Sequence, residues 1–548
     1  MKKQMTRILC LLLSMILLAG CNTNAPDYSG AFLQDRTPKG TQKALAEIKQ
    51  LGQSPDDNYR TWYEIFVYSF CDSNGDGIGD LAGVTSRLDY LQELGINGIW
   101  LMPIHPSTTY HKYNVSDYYA IDPVYGTMED FDTFLAECQK RDIHVILDLV
   151  VNHSGSEHAW FKAATDYLKA LGSGEPKVSD CPYLDYYYFQ KGSGSGYCNV
   201  TGTEWYYEGR FNYDMPDLNL ASPALRQEIA DIMAFWLNKG VSGFRLDAAK
   251  EFYSGDPEKN KEVLSWLKET AHAIKPDAYL VAEVWEGFAT IAEYYESGFT
   301  SIFNFAFGDY SGKIISTIRN AGNANMIPSY AQALEKADKA YLAAHPDYID
   351  APFLSNHDVG RIAGFVGRDE AKTKLAGAMN LFMSGSAFIY YGEEIGMVGA
   401  GNDPSKRAPM YWNKARNNGT TGLPPECTLP EEYPFGSLDE QLKDAGSVLN
   451  YYRQAIAIRN ALPVISHGRT TAEAALNRGC ISAQRKTWGE ESCIILMNIS
   501  PDAAAVDLSG YADWVLAASL SADGKKITQK GTELTLSAYG IAVLVPAA

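Results

Sequence analysis

Three short strings carrying carboxylates lie in fixed order along the chain: Gly243-Phe244-Arg245-Leu246-Asp247, Ala282-Glu283-Val284-Trp285 and Leu354-Ser355-Asn356-His357-Asp358. In each, a small or apolar stretch reads as a buried strand, and an acid stands at or near its end. An ionisable group in that place is costly unless the strand end opens into a polar cleft. A pair of such carboxyls can break a glycosidic bond, one acting as nucleophile or base and the other protonating the leaving oxygen. Arg245 stands two residues before Asp247, so it shares that side of the strand and would hold Asp247 ionised. Glu283 lies among Val281, Ala282, Val284 and Trp285, where desolvation would raise its pKa and keep it protonated. One such acid alone is more often a buried ion pair. Three in one register beside Arg245 and His357 point to a site.

The elements that must position these acids follow from their spacing. Asp247 and Glu283 are 36 residues apart, and Glu283 and Asp358 are 75 apart. With roughly 30 residues per strand-helix unit of a barrel, these are one and two units. Eight apolar strand candidates alternate with amphipathic segments: Trp62–Tyr68, Gly98–Met102, Ile143–Val151, Gly243–Asp247, Tyr279–Val284, Ser301–Phe305, Ala351–Leu354 and Ala387–Tyr391. Helical patterns cover Ser86–Leu94, Met128–Arg141 and Pro223–Lys239. This order predicts a (β/α)8 TIM barrel over 59–153 and 211–465, with all three acids on one face. Residues 154–210, rich in Gly, Ser and Tyr and without strong helical period, read as a small inserted subdomain after the third strand. Beyond residue 466, short strands with turn signals predict a C-terminal antiparallel β-sandwich domain over 466–548.

These strings resemble the α-amylase family of retaining, starch-acting barrel glycoside hydrolases. Asp148-Leu149-Val150-Val151-Asn152-His153 is similar to its first conserved segment, and Gly243 to Lys250 to its second. Glu283-Val284-Trp285 and Ser355-Asn356-His357-Asp358 resemble the third and fourth, and Met215-Pro216-Asp217-Leu218-Asn219 a fifth. The resemblance implies Asp247 as nucleophile, Glu283 as acid/base, and Asp358 as a third acid that binds sugar hydroxyls. It implies that His153 and His357 bond hydroxyls of the attacked sugar, that Tyr113 stacks on it, and that Lys250 sits on the leaving-group side. A loop with Asp403 and Arg407 would grip the next sugar on the non-reducing side. Ala248 after the nucleophile is what the family carries for α-1,4 rather than α-1,6 cleavage. Lys112, where the family often has Gly, places a long cation near the cleft wall.

A second pattern is independent of the first. Asp72-Ser73-Asn74-Gly75-Asp76-Gly77-Ile78-Gly79-Asp80 sets oxygen side chains at alternate positions, hard ligands at the spacing of a Ca²⁺ loop. Gly83 stands where an EF-hand needs Glu, so this is not an EF-hand. The loop is similar to the calcium loop after the first strand in members of the same family, which implies Asp72, Asn74, Asp76 and Asp80 as side-chain ligands and the Ile78 carbonyl as another. Glu251 replaces a His common in calcium-dependent amylases, which puts a second calcium, and Asn152 as its ligand, in doubt.

The formal charge of the 548 residues is −19, and the three bases Lys2, Lys3 and Arg7 leave the remainder near −22. That excludes nucleic acid and an anionic membrane surface as main partners and suits a neutral glucan bound by a monomer. Residues 1–20 read as a signal peptide with an apolar run too short to span a bilayer, ending Leu18-Ala19-Gly20-Cys21. This resembles the bacterial lipoprotein signal, implying lipidation at Cys21 and anchoring at the cell surface, with 21–58 as a tether and a short helix over Thr41–Leu51. Of nine Cys, seven remain after Cys10 and Cys21. Cys181 with Cys198, and Cys480 with Cys493, are close enough to bridge hairpins, and at least one thiol stays free. Tyr183, Tyr186, Tyr187, Tyr188 and Phe189 are either a stacking platform or ordinary hairpin packing.

The sequence therefore reads as a surface-anchored α-amylase cleaving α-1,4-glucans by double displacement. A 4-α-glucanotransferase would share every catalytic residue. A neopullulanase or cyclomaltodextrinase is set back by the short stretch before Trp62, and a non-catalytic starch-binding lipoprotein by the retained acids.

Overall fold

A computed structural model describes residues 58–172, 174–430 and 433–547. The leader, Cys21, the tether and the Thr41–Leu51 helix lie outside the described residues.

The chain first lays down β1 (Thr61–Ile65), β2 (Gly98–Leu101) and β3 (His144–Leu149). An insertion then carries β4 (Phe189–Lys191), β5 (Tyr197–Asn199) and β6 (Trp205–Glu208). The main series resumes with β7 (Gly243–Leu246), β8 (Tyr279–Ala282), β9 (Ser301–Phe303), β10 (Ile349–Ala351) and β11 (Ala387–Tyr390). The sheet order is β10-β9-β8-β7-β3-β2-β1-β11, with every pair parallel. Ser386 N–H donates to Asp350 O at 2.7 Å and Phe388 N–H to Pro352 O at 2.8 Å, which brings β11 back to β10 and closes the ring.

All eight predicted strands are present. All end one to three residues before their predicted bounds, β10 also starts two residues earlier than predicted, and the two largest shortfalls have local reasons. β1 stops at Ile65 because Val67–Phe70 coil into a helical turn. β10 stops at Ala351 because Pro352 has no N–H to offer a ladder. The Pro223–Lys239 helix begins with Ser222 as a side-chain cap and ends at left-handed Gly240. At Gly243 a Cβ would stand 1.8 Å from Tyr279 O, so only glycine lets β7 lie this close to β8.

Two apolar layers hold the barrel. Inside it, Trp62 stacks on Tyr279 at 5.0 Å and Trp100 lies against Phe303 at 5.4 Å, a plug of large rings beneath the catalytic end. Outside it, strand residues such as Ile99, Val145 and Leu280 pack against the surrounding helices. Burial on both faces is why these strands read as nearly continuous apolar runs.

The insertion departs from expectation in one respect. It contains a 13-residue helix, Ala159–Leu171, whose buried Trp160, Phe161, Ala164 and Leu168 follow helical spacing inside a Gly/Ser-rich stretch. The sheet β4-β6-β5 follows it. Tyr186 and Tyr187 are buried against Trp160 and Phe161, so these aromatics serve packing. At the C-terminus a five-stranded sheet, β12 (Arg469–Ala472), β13 (Ile481–Trp488), β14 (Glu491–Asn498), β19 and β16, faces a three-stranded one, β15-β18-β17. The strands completing them are β15 (Ala504–Asp507), β16 (Trp514–Leu520), β17 (Thr528–Lys530), β18 (Glu533–Leu536) and β19 (Ile541–Pro546). Ile494, Leu496, Leu534 and Leu536 meet between the two sheets.

The disulfide expectation fails. Cys181, Cys198, Cys480 and Cys493 are all free thiols. The β13–β14 register sets Lys486 opposite Cys493, while Cys480 precedes β13 and accepts from Ile499 N–H at the far end of the hairpin. The two sulfurs lie at opposite ends of one ladder.

Candidate active site

The strand ends place the three acids around one guanidinium. Asp247 and Glu283 each follow directly on their strands, β7 and β8, and Arg245 is the third residue of β7. Arg245 is buried, with its guanidinium 5.1 Å from the Trp100 ring centre. Its Nη1 donates to Asp247 Oδ1 at 2.7 Å and to Asp148 Oδ1 at 2.8 Å, and its Nη2 donates to Glu283 Oε2 at 2.6 Å. The width of one fork thus limits the separation of the Asp247 and Glu283 oxygens. The Ala248 N–H adds a bond to Glu283 Oε2 at 3.0 Å from a left-handed turn (φ 48°). That strained conformation in a non-glycine residue sits between the two acids.

Burial pushes the Glu283 carboxyl above its ordinary range, helped by the charge of Asp247, while Arg245 pulls the other way. The sequence reading anticipated the burial but not the direct bond from Arg245. Asp148, also buried, is pushed up to about 7 against the pull of Arg245. Asp358 behaves oppositely. Burial raises it, but His357 and Arg407 outweigh that and hold it well below the usual carboxylate range. His357 Nε2 lies 2.9 Å from Asp358 Oδ2, and Arg407 Nη2 donates to Asp358 Oδ1 at 2.9 Å.

These groups line a cleft of about 670 Å³. Asp247, Glu283, Asp358, Tyr113, His153, Lys250, His357, Asp403 and Arg407 all reach it, and Arg245 lies beneath. Tyr113 stacks on His357 at 5.4 Å and donates to Asp148 Oδ2 at 3.0 Å. His153 is buried and its Nε2 has no partner, so it presents an unused polar atom to the cleft. Burial keeps its imidazole neutral by lowering its pKa. Lys250 pairs with Glu286 at 2.8 Å, and Asp403 with Lys406 at 2.9 Å.

Some predicted features lie elsewhere. Lys112 turns away from the cleft: its Nζ bonds Asp122 at 2.6 Å, buried, and lies over the Tyr125 ring. Other lining groups had no role assigned from the sequence. Trp285 is 44 % exposed and lies flat on Phe305 at 5.0 Å, and Phe211 is 52 % exposed beside His153. Glu64 is a single acid in an apolar strand, and that isolation is its one signal in the sequence. Its Oε1 is 2.6 Å from His357 Nδ1.

At the junction of insertion and barrel, Arg210 supplies the positive charge. Its Nε donates to Glu208 Oε1 at 2.6 Å and its N–H to Asp217 Oδ2 at 3.1 Å. Asp217 is pushed up to about 7 by burial, with Glu208 and Glu251 adding repulsion. Asn152 Nδ2 points toward Asp217 Oδ1 at 3.4 Å, so its donor rather than its oxygen faces that carboxyl.

The Asp72–Asp80 loop lies outside the cleft. Asp72 accepts from the N–H groups of Asn74, Gly75 and Gly77, Asn74 from Asp76, and Asp76 from Ile78. Asp80 accepts from Ser73 and caps a helix through Gly83 N–H at 2.7 Å. Among the described residues no Lys or Arg pairs with Asp72, Asp76 or Asp80, and no group of three or more His, Cys, Asp or Glu side chains is gathered as a metal centre. The fit to Ca²⁺ is therefore one of donor chemistry: hard oxygens and uncompensated negative charge on a turn with left-handed Gly75 and Gly77.

Comparisons with known proteins agree with this geometry. The sequence pattern described as the α-amylase catalytic domain matches residues 64–468. "Alpha-amylase 3" of Dictyoglomus thermophilum is 40 % identical over 451 residues, 80 % of this chain and 84 % of that protein. "Glucan 1,6-alpha-glucosidase" of Streptococcus pneumoniae is 29 % identical over 543 residues, 88 % of this chain and 98 % of the relative. The solved structure "Eubacterium rectale Amy13B" is 43 % identical with a TM-score of 0.89, covering 93 % of this chain and 99 % of that one.

Proposed function

The chain belongs to the α-amylase family of glycoside hydrolases, and from that footing we propose that it hydrolyses α-1,4-glucosidic bonds of starch and maltooligosaccharides by a retaining double displacement. The observation that carries this reading is Arg245 bonded at once to Asp247 and Glu283. Close carboxyls of unlike environment suit attack by one and proton transfer by the other.

In this reading Asp247 Oδ attacks the anomeric carbon while Glu283 gives its proton to the departing glycosidic oxygen. A covalent glucosyl ester on Asp247 results. Glu283, now a carboxylate, takes a proton from water, which attacks the same carbon and releases Asp247. Asp358 stays ionised beside His357 and accepts hydroxyl bonds of the distorted sugar, and the bare His153 Nε2 bonds another. Tyr113 provides an apolar floor, Lys250 lies on the leaving-group side, and Asp403 with Arg407 meets the next sugar.

We propose further that Asp72, Asn74, Asp76 and Asp80, with the Ile78 carbonyl, hold Ca²⁺. The ion would tie the turn after β1 together, and no chemical step passes through it. A lipid on Cys21 would hold the enzyme at the bacterial surface. Loss of membrane fractionation in Cys21→Ser tests that placement.

A product time course on amylose, pullulan and cyclodextrin tests the specificity. Internal cleavage of amylose with pullulan left intact supports an α-1,4 endo-enzyme. Glucose released from α-1,6 links would move the reading toward the 1,6-glucosidase relative. Chain lengthening of maltooligosaccharides would move it to transfer, in which a sugar held by Trp285 and Phe211 replaces water.

A further inference from the structure

We propose that Glu64 is a positioning residue for this reaction: its buried carboxylate accepts the Nδ1–H of His357 and so fixes an imidazolium whose other N–H faces Asp358. The proposal rests on the reading of Asp358 given above and adds the group that sets its partner's charge.

Glu64 is the fourth of the five residues of β1, which lies between β11 and β2, and it is almost wholly buried and outside the cleft lining. Its Oε1 is 2.6 Å from His357 Nδ1 and 3.4 Å from the His357 backbone N–H. The other ring nitrogen, Nε2, is 2.9 Å from Asp358 Oδ2 and 2.7 Å from the Tyr113 hydroxyl. Tyr113 gives its own proton to Asp148, so its oxygen accepts from His357. Both ring nitrogens therefore face acceptors. A neutral imidazole carries one N–H and would set a lone pair against a carboxylate. Two N–H groups satisfy the geometry.

The surroundings decide the same way. Glu64 from β1, Asp358 from the same loop and Asp148 from β3 favour the charged ring. Arg245 from β7, Arg407 from the loop after β11, and His111 oppose it. Burial lowers His357, yet Asp358 and Glu64 overcome that and push it up to about 9. Stacking under Tyr113 and the edge of Trp100 at 5.7 Å leaves the ring no other place to turn. Glu64 thereby keeps a fixed cation against Asp358, which stays an acceptor for sugar hydroxyls across neutral pH. A neutral amide at position 64 would keep the shape and drop the charge.

The test follows the ring nitrogens of His357 by NMR in the full chain labelled with ¹⁵N-histidine, the signal identified by its loss in His357→Asn. In the wild type His357 is expected to be charged at pH 7.5. In Glu64→Gln its pKa should fall by about two units. The kcat on maltooligosaccharides should then drop roughly tenfold or more at pH 8 and far less at pH 5.5, where the ring is still protonated. Glu64→Asp, which keeps the charge, should recover part of both. A neutral His357 in the wild type at pH 7.5 overturns the proposal. So does an unshifted titration in Glu64→Gln, or an equal, pH-independent loss in both variants. If Glu64→Gln does not fold, the wild-type and Glu64→Asp titrations still decide. Failure of the underlying reading would instead appear as turnover by Glu283→Gln, which leaves the His357 titration as it was.

Discussion

The cleft and the Asp72–Asp80 loop are both rich in acids, and they treat them in opposite ways. In the cleft, Asp148 and Asp247 are buried and Glu283 and Asp358 partly so, and each meets a guanidinium or an imidazole. In the loop, Asp76 is exposed and Asp72 partly so, and their partners are backbone N–H groups, with no cation among the described residues. Burial with a shared cation drives carboxyl pKa values apart, which acid/base chemistry requires. Exposed acids wired to amides keep their charge available to a metal ion. Residue type is the same in both places, and environment decides what it does.

The contrast breaks most sharply by amide substitution. Glu283→Gln should cost about 10³-fold or more in kcat on soluble starch while retaining substrate binding. Asp76→Asn in the loop should leave kcat unchanged. Equal effects in a reducing-sugar assay would erase the distinction. Next comes the cation itself. Arg245→Met leaves Asp148, Asp247 and Glu283 buried without their shared donor, so unfolding by urea should show about 3–5 kcal/mol of lost stability. A loss of under about 1 kcal/mol, the worth of a surface pair, would mean the acids do not depend on it.

A smaller effect separates the buried acids by pH. Behind the Ser355 string, Glu393 accepts from Ser355 Oγ at 2.7 Å and from Tyr452 at 3.1 Å, and burial pushes it up to about 8. The folded chain therefore holds a proton that the unfolded chain gives up near 4.5, so this group's contribution falls as pH rises from about 4.5 to 8. Glu393→Gln should flatten the decline in Tm between pH 5 and 8, and calorimetry at the two pH values would show an unchanged slope if the group is ordinary. The smallest effect belongs to the loop. Chelation should lower Tm by a few degrees, with Asp76→Asn abolishing that response. No shift on chelation would remove calcium from the account.

Much of this arrangement is legible in the sequence, for physical reasons. Barrel strands buried on both faces become apolar runs, and strand-end acids stand out against them, so Asp247, Glu283 and Asp358 were visible together. Strand ends were less so, because they depend on local events such as the helical turn at Val67 and the missing N–H of Pro352. The Ala159–Leu171 helix was masked by the Gly/Ser-rich composition around it. Cysteine spacing misled, since strand register rather than proximity in sequence decides which sulfurs meet. Glu64 was missed because its meaning depends on His357, 293 residues away.

The central claim is that Asp247 attacks while Glu283 moves the proton. An α-glucosyl fluoride tests it directly, because fluoride departs without a proton. In Glu283→Gln the first step should proceed and the second should stall. Mass spectrometry should then find one added glucosyl unit on the peptide that contains Asp247. An adduct on Glu283→Gln chains at Asp358 instead, or release of the β-anomer by the wild type, would contradict the assignment.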